Sequence, residues 1–319
     1  MNRQPAKRRI SSPGRSERSH HRRYCDGYIQ ASRYAAKLDP AGFLAWLLRA
    51  AVAFVRWLDT RRLPFPGGAD RTCDTVARLD DPAAPGEPWA VPVEFALEPE
   101  ADLFGRLLAY LGLLWLEERP SAERGERYRV GAIVVNLTGR GHTSRDMGLG
   151  ATGLRTCLQV VERDLASEDA AATLAGVAAG SIARCLLPFI PLMQGGAGPA
   201  IIQQWLGLAS AEPDAKLRSD YGGLALVFAE AAGNGPIWRQ ALKGWNMKQS
   251  QQVLEWIAEG KVEGKAELLL RQVRLRFGAV PPELEAAIRT ATDPDQLDRW
   301  GDAAVTAPTL DAFRQAAGL

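Results

Sequence analysis

Apolar residues from Phe43 to Leu58, within "LDPAGFLAWLLRAAVAFVRWLDTRRLPFP", recur at helical intervals and predict one amphipathic helix. Asp39 followed by Pro40 supplies an N-cap and a first helical residue. Pro64, Pro66 and Gly67-Gly68 close the segment. Two strand-like runs follow, about 71–79 and 89–97, around a connection rich in Pro, Gly and Asp, which predicts a hairpin with a long loop. Pro92 removes a ladder donor from the second run, so the pattern predicts an edge position or a bulge there.

The segment "DLFGRLLAYLGLLWLEERP" then returns to helical spacing and stops at Pro120. Val130 to Leu137 is nearly continuous in apolar residues, as in a strand buried on both faces. Strand, helix and strand in that order make a βαβ unit with parallel pairing. "LRTCLQVVERDL" predicts one further strand, followed by a helix capped by Ser167. Beyond residue 170 the pattern is helical, with a break at "LLPFIPLMQGGAGP".

In "EWIAEGKVEGKAELLLRQVRLRFG", Glu255, Glu259, Glu263 and Glu267 recur every four residues, as do Gly260 and Gly264. Polar composition favours a solvated linker. The glycine pair is a candidate close-packing contact for a homodimer through the C-terminal helices. The chain ends in short helices broken at Pro281-Pro282, Asp293-Pro294 and Pro308. The expected organisation is a basic disordered tail (1–27), an α/β domain with a helical extension (28–250), and a linker with a small helical domain (251–319).

Composition narrows the class. No apolar run reaches the ~18 residues of a membrane span, and the basic N-terminus lacks a secretory apolar core. The four cysteines are scattered without a C-x-x-C pair, which argues against a disulfide framework and for a reducing cytoplasm. Residues 1–23 carry eight Arg/Lys against one Glu, a net of +7, while the whole chain is +2, so the remainder is −5. The tail is therefore a candidate phosphate contact or a disordered extension, and the body does not announce a polyanion partner.

Histidine is confined to His20, His21 and His142, which argues against a His-based catalyst or zinc centre. "GRGHTSRDMGLGATG" has neither the separated elements of a triad nor the Gly-Lys-Ser/Thr ending of a P-loop, and reads as a mobile loop rimming a pocket. Trp46, Trp57 and Trp115 fall in apolar helical patterns and are expected in the core. Trp238, Trp245 and Trp256 share the spacing of a helical face, expected to pack rather than stack on bases.

One apolar strand carries a carboxylate: Glu94, within "AVPVEFA". A hairpin symmetric about its nine-residue loop sets Leu79 against Trp89 and Asp74 against Glu94. Opposed carboxylates would have β-carbons ~5 Å apart and cost up to ~1 kcal/mol. A divalent cation between them reverses the sign. Hard oxygen ligands suit Mg²⁺ or Mn²⁺, which activate water and stabilise charge on phosphorus. The alternative is that one or both carboxylates face solvent.

Helix, then a hairpin with "DRTCDTVARL" and "AVPVEFALEPE", then "FGRLLAYLGLLWLE" and a buried strand resembles the PD-(D/E)XK nuclease superfamily, and within it the Rpn/transposase-like branch. The C-terminal "LLLRQVRLRFGAVPPELEAAIRTATDPDQLDRW" is similar to the helical domain that ends such proteins. The resemblance covers most of residues 37–319. It implies a restriction-endonuclease-like mixed sheet flanked by helices and followed by an all-α region. It further implies a Mg²⁺- or Mn²⁺-dependent DNA endonuclease with Asp74 and Glu94 as metal ligands.

The third catalytic position, Lys or Gln in the family, falls on Ala96, and no lysine stands between Lys37 and Lys216. Arg71, Arg78, Arg106 and Lys37 are the candidate substitutes for its charge, although arginine stays protonated and is a poor base. The alternatives are a catalytically silent module that binds DNA or a protein, and an assembly protein.

Overall fold

A computed structural model describes residues 15–60, 63, 66, 75–121, 126–246, 262, 265–266 and 268–319; for residues 15–26 it describes the backbone only. The chain divides into two units, one of Tyr28–Ala258 and the other of Met1–Gly27 with Glu259–Leu319. Helix α1 covers Arg15–Leu38, so the helix begins within the segment expected to be a disordered tail.

The larger unit is mixed α/β. Helix α2 (Pro40–Leu48) starts as the sequence predicts: Asp39 accepts a hydrogen bond from the Gly42 amide and Pro40 takes the first position. It does not run on to Leu58. Arg49 turns into the left-handed region (φ 51°) and the chain re-enters as strand β1 (Ala53–Leu58). The apolar periodicity from Phe43 to Leu58 thus joins a helix to an edge strand, with a register shift between Phe54 and Arg56.

Strands β2 (Val76–Asp80) and β3 (Trp89–Ala96) form the predicted hairpin. Their pairs are Leu79↔Trp89, Arg78↔Ala90, Ala77↔Val91 and Val76↔Pro92, the symmetric register. Helix α3 (Leu103–Glu117) then leads to β4 (Arg129–Val130) and β5 (Ile133–Asn136), both parallel to β3. Strand β8 (Val161–Asp164) lies parallel to β5, giving the order β1-β2-β3-β5-β8 with β4 also on β3.

Pro92 therefore sits in an interior strand, at neither an edge nor a bulge. The Val93 amide bonds Thr75 O, so position 92 turns its missing donor away from β2. On that side the ladder is already interrupted between the pairs Ala90↔Val130 and Val93↔Ile133. The proline costs no ladder hydrogen bond there.

"LRTCLQVVERDL" is two strands. Its first part, β7 (Arg155–Leu158), pairs antiparallel with β6 (Arg145–Gly148) in a separate two-stranded sheet. Its second part is β8. A 3-10 turn covers Leu165–Ser167, and the cap of α4 (Ala170–Ala178) is Asp169 rather than Ser167. Asp169 accepts from the amides of both Ala171 and Ala172.

Each sheet face is covered. Leu58, Val76, Ala90 and Val134 share one face and bury against Leu103, Leu107, Tyr110, Leu111 and Leu114 of α3. On the other face Phe95 stacks on Phe43, Phe43 on Phe189 and Phe189 on Phe228, at centroid distances of 6.1, 5.5 and 4.8 Å. This ties the sheet to α2, to a 3-10 segment (Arg184–Leu192) containing Pro188 and Pro191, and to α6 (Ala215–Ala231). Arg163 of β8 fixes the same face, donating from Nε to Leu47 O (2.8 Å) and from Nη2 to Trp46 O (3.2 Å).

Helices α5 (Pro199–Ser210) and α7 (Gly235–Ala241) bury Trp205 and Trp238 edge to face, with the indole of Trp245 tilted against Trp205. The expected indole cluster is thus a structural one for Trp238 and Trp245; Trp256 lies outside the described residues. Trp46 and Trp57 are half-buried, but Trp115 is 44% exposed, with the Arg127 guanidinium 4.9 Å above its ring. It belongs to the outer side of α3 rather than to the core.

In the other unit, α8 (268–277), α9 (Pro282–Thr290), α10 (Pro294–Thr306) and α11 (Leu310–Ala317) bury Leu269, Leu270, Val273, Leu284, Ile288, Leu297, Trp300 and Phe313 together. Pro282 and Pro294 occupy first-turn positions, where their missing amides cost nothing. Gly260 and Gly264, and the glutamates of the four-residue repeat, lie outside the described residues. Among the described residues no helix is long and apolar enough to cross a membrane.

Candidate functional site

Glu94 lies on β3, paired in register with Val134 of β5, which pairs with Glu162 of β8. Ala96, Asn136 and Asp164 form the next same-face row. Adjacent in-register side chains of parallel strands project to one side. Glu94, Ala96, Asn136, Glu162 and Asp164 therefore line the α3 face of the sheet near the carboxyl ends of its parallel strands. Ligand sites in open α/β sheets form at such ends.

Glu94 is buried, with 7% of its surface exposed. A buried carboxylate needs a compensating charge or donors. Asp74, its proposed partner, lies outside the described residues, as does Arg71. What the structure does fix is the hairpin register up to Val76↔Pro92 and the hydrogen bond from the Val93 amide to Thr75 O (2.8 Å).

Ala96 is 1% exposed and brings only a methyl group to the third position. Of the candidate substitutes, Lys37 is exposed in the last turn of α1, and Arg78 faces Asp80 at 3.9 Å. Arg106 is buried in α3 and donates from Nη2 to Glu100 (2.6 Å), with Asp102 at 3.8 Å.

The sequence reading missed a polar network beside Glu94. Asn136, fully buried, donates from Nδ2 to Glu162 Oε1 (3.0 Å) and Asp164 Oδ1 (2.7 Å). Asp164 also accepts from the Gly141 amide (3.1 Å). Glu162 accepts from the Thr143 amide (2.8 Å) and hydroxyl (2.9 Å). A Cβ on Gly141 would overlap Asn136 Nδ2 and Glu162 Oε1, so glycine is required for the loop to close this tightly. The signal was present: Asn136 interrupts "AIVVNL", and Glu162 and Asp164 alternate in "VVERDL".

These donors are all neutral, so the network binds loop 139–144 to β8 rather than gathering cations. Among the described residues no three or more His, Cys, Asp or Glu side chains form a metal-holding group. A carboxylate from Glu94 joined by one from Asp74 would be the hard oxygen donors that a divalent cation completed by water takes. Cys157 and Cys185 are free. No family model, curated protein or solved structure matches the chain.

Proposed function

We propose that the larger unit is a PD-(D/E)XK nuclease-like domain of the Rpn/transposase-like type that hydrolyses DNA phosphodiester bonds. Asp74 and Glu94 would hold a Mg²⁺ or Mn²⁺ ion. The observation that supports the reading is the β2–β3 register, which the described pairs follow as far as Val76↔Pro92; continued past the described residues, it would set position 74 against Glu94. The antiparallel hairpin followed by a parallel βαβ crossover through α3 agrees with it.

When bound, such a cation supplies Lewis-acid stabilisation of charge at phosphorus and a water of lowered pKa. The chain's own contribution is to hold Glu94 on a buried strand, fixed on one side by β2 and on the other by β5. Plasmid nicking tests the reading. Wild-type protein with Mg²⁺ or Mn²⁺ converts supercoiled to open-circular DNA, and Asp74→Ala and Glu94→Ala abolish conversion while remaining folded. Absence of cleavage by wild type with either metal would refute it.

Ala96 favours a second reading, a nuclease fold that binds DNA or a protein without cutting. A buried methyl can neither orient water nor steady a pentacovalent phosphate. Salt-dependent DNA binding without cleavage is its expected outcome.

A further inference from the structure

The segment expected to be a mobile loop is a structured hairpin. Among the described residues strands β6 and β7 pair only with each other, through Arg145↔Leu158, Asp146↔Cys157, Met147↔Thr156 and Gly148↔Arg155. Leu158 is buried in the core beneath α3, and the remaining strand residues are exposed. At the tip, Leu149 and Leu154 are 61% and 67% exposed. They close a defined turn, in which the Leu149 amide bonds Leu154 O (3.0 Å) and Thr152 Oγ1 donates to Leu149 O (2.6 Å). Gly150 and Gly153 take positive φ there.

The base is clamped. Gly141 and Thr143 are held by Asp164 and Glu162, and the Val160 amide donates to Ser144 Oγ (3.0 Å). A ribbon so anchored projects an apolar tip into water at a free-energy cost unless something receives it.

Charge identifies what receives it. Residues 139–158 hold Arg140, Arg145 and Arg155 against Asp146, a net of +2 within a body that is net −5. All three arginines are exposed. Two copies of this ribbon would repel. A polyanion with apolar surface between its charges fits: a two-stranded ribbon enters the ~12 Å major groove of duplex DNA, where apolar side chains contact thymine methyl groups.

We propose that the β6–β7 hairpin is a duplex-DNA clamp, with Leu149 and Leu154 seated in the major groove, Arg140 and Arg145 on the flanking phosphates, and Arg155 held by Asp146. This rests on the reading of the chain as acting on DNA, but not on its cutting it.

The test is fluorescence anisotropy of a labelled 30-base-pair duplex with the full chain in EDTA, across a salt series, so that cleavage does not enter. The basic N-terminal segment is kept in every variant. Arg140→Ala with Arg145→Ala lowers the slope of log K against log salt by about 2. Leu149→Ser with Leu154→Ser weakens binding about tenfold at unchanged slope. Asp146→Asn raises the slope by about 1 because Arg155 is released to phosphate.

The clamp is overturned if wild type does not bind the duplex, or if the arginine and leucine variants bind it as wild type does. It is also overturned if those variants lose binding to phosphatidylglycerol vesicles instead. Wild type that binds the duplex in EDTA but does not nick plasmid with Mg²⁺ or Mn²⁺ removes the nuclease reading and leaves the clamp. Cleavage by wild type and hairpin variants alike, with equal duplex affinity, removes the clamp and leaves the nuclease.

Discussion

Replacing Arg163 tests how the sheet is locked to the helices behind it. This side chain is 9% exposed and donates to Leu47 O and Trp46 O in the last turn of α2, where carbonyls have no intrahelical partner. Its guanidinium also lies over the Trp46 ring at 5.7 Å and within 3.5 Å of Glu168. Burial pushes its pKa down, Arg49 adds to that, and Glu168 opposes it. It remains charged at neutral pH.

Hydrogen bonds from charged groups contribute about 1.5–3 kcal/mol each. Two such bonds are lost in Arg163→Ala, and desolvation of the guanidinium offsets part of that. The expected net loss is about 3 kcal/mol. Arg163→Lys keeps the charge but cannot reach both carbonyls in a fork, and loses about 1–2 kcal/mol. Urea unfolding followed by tryptophan fluorescence should show the midpoint falling in that order with an unchanged m-value. A loss under about 1 kcal/mol for Arg163→Ala would refute the lock.

Gly141→Ala forces a methyl onto Asn136 and Glu162, an overpacking cost of about 2 kcal/mol, read as a fall in Tm of about 4–8 °C. An unchanged Tm would show that loop 139–144 yields freely. Tyr34→Phe removes a hydroxyl that donates to the buried Asp220 (2.8 Å) and accepts from Lys216 (2.8 Å), and should cost about 1–2 kcal/mol in the same denaturation assay. Hydrogen bonds to Tyr34 and then Asp220 raise the Lys216 pKa, so its contribution is complete below about pH 10.4 and disappears as pH rises through the raised value. Lys216→Met should therefore lose stability at pH 8 and flatten the alkaline limb; an unaltered limb would contradict this. For Glu285, burial acts upward but hydrogen bonds from Arg289 and Arg274 prevail and lower its pKa. That stabilisation is present above about pH 4.3 and is lost as pH falls through the depressed value. Glu285→Gln should flatten acid unfolding of the C-terminal helices, measured by circular dichroism.

Some of this structure was legible because local chemistry and burial pointed the same way. Asp39-Pro40 starts a helix, Pro281-Pro282, Asp293-Pro294 and Pro308 separate three others, and the two strands of the hairpin take the assumed symmetric register, although a nine-residue loop does not itself fix one. The α2–β1 boundary was not legible. It is made by Arg49 in a left-handed conformation with no glycine to mark it, and β1 is an edge strand whose half-exposed residues show no clean alternation. The break between β7 and β8 at Gln159-Val160 was hidden for a similar reason: no Gly or Pro signals that the chain changes sheets.

Trp115 misled because the helical period marks which residues share a side, not which side is covered. At the site, Glu94 announced itself as a charge in an apolar strand. Asn136, Glu162 and Asp164 become a unit only through the pairing of β5 with β8, a parallel contact that sequence spacing does not encode.

The central claim, that Asp74 and Glu94 together hold one divalent cation, is tested most directly by titrating the full chain with Mn²⁺ and reading free metal by electron paramagnetic resonance. Wild type should sequester one Mn²⁺ per chain, and Asp74→Asn and Glu94→Gln should each abolish that binding. Ala96 does not enter this measurement, so the outcome stands apart from whether the site cuts DNA. Equal Mn²⁺ binding by all three proteins, or none by wild type, would contradict the claim.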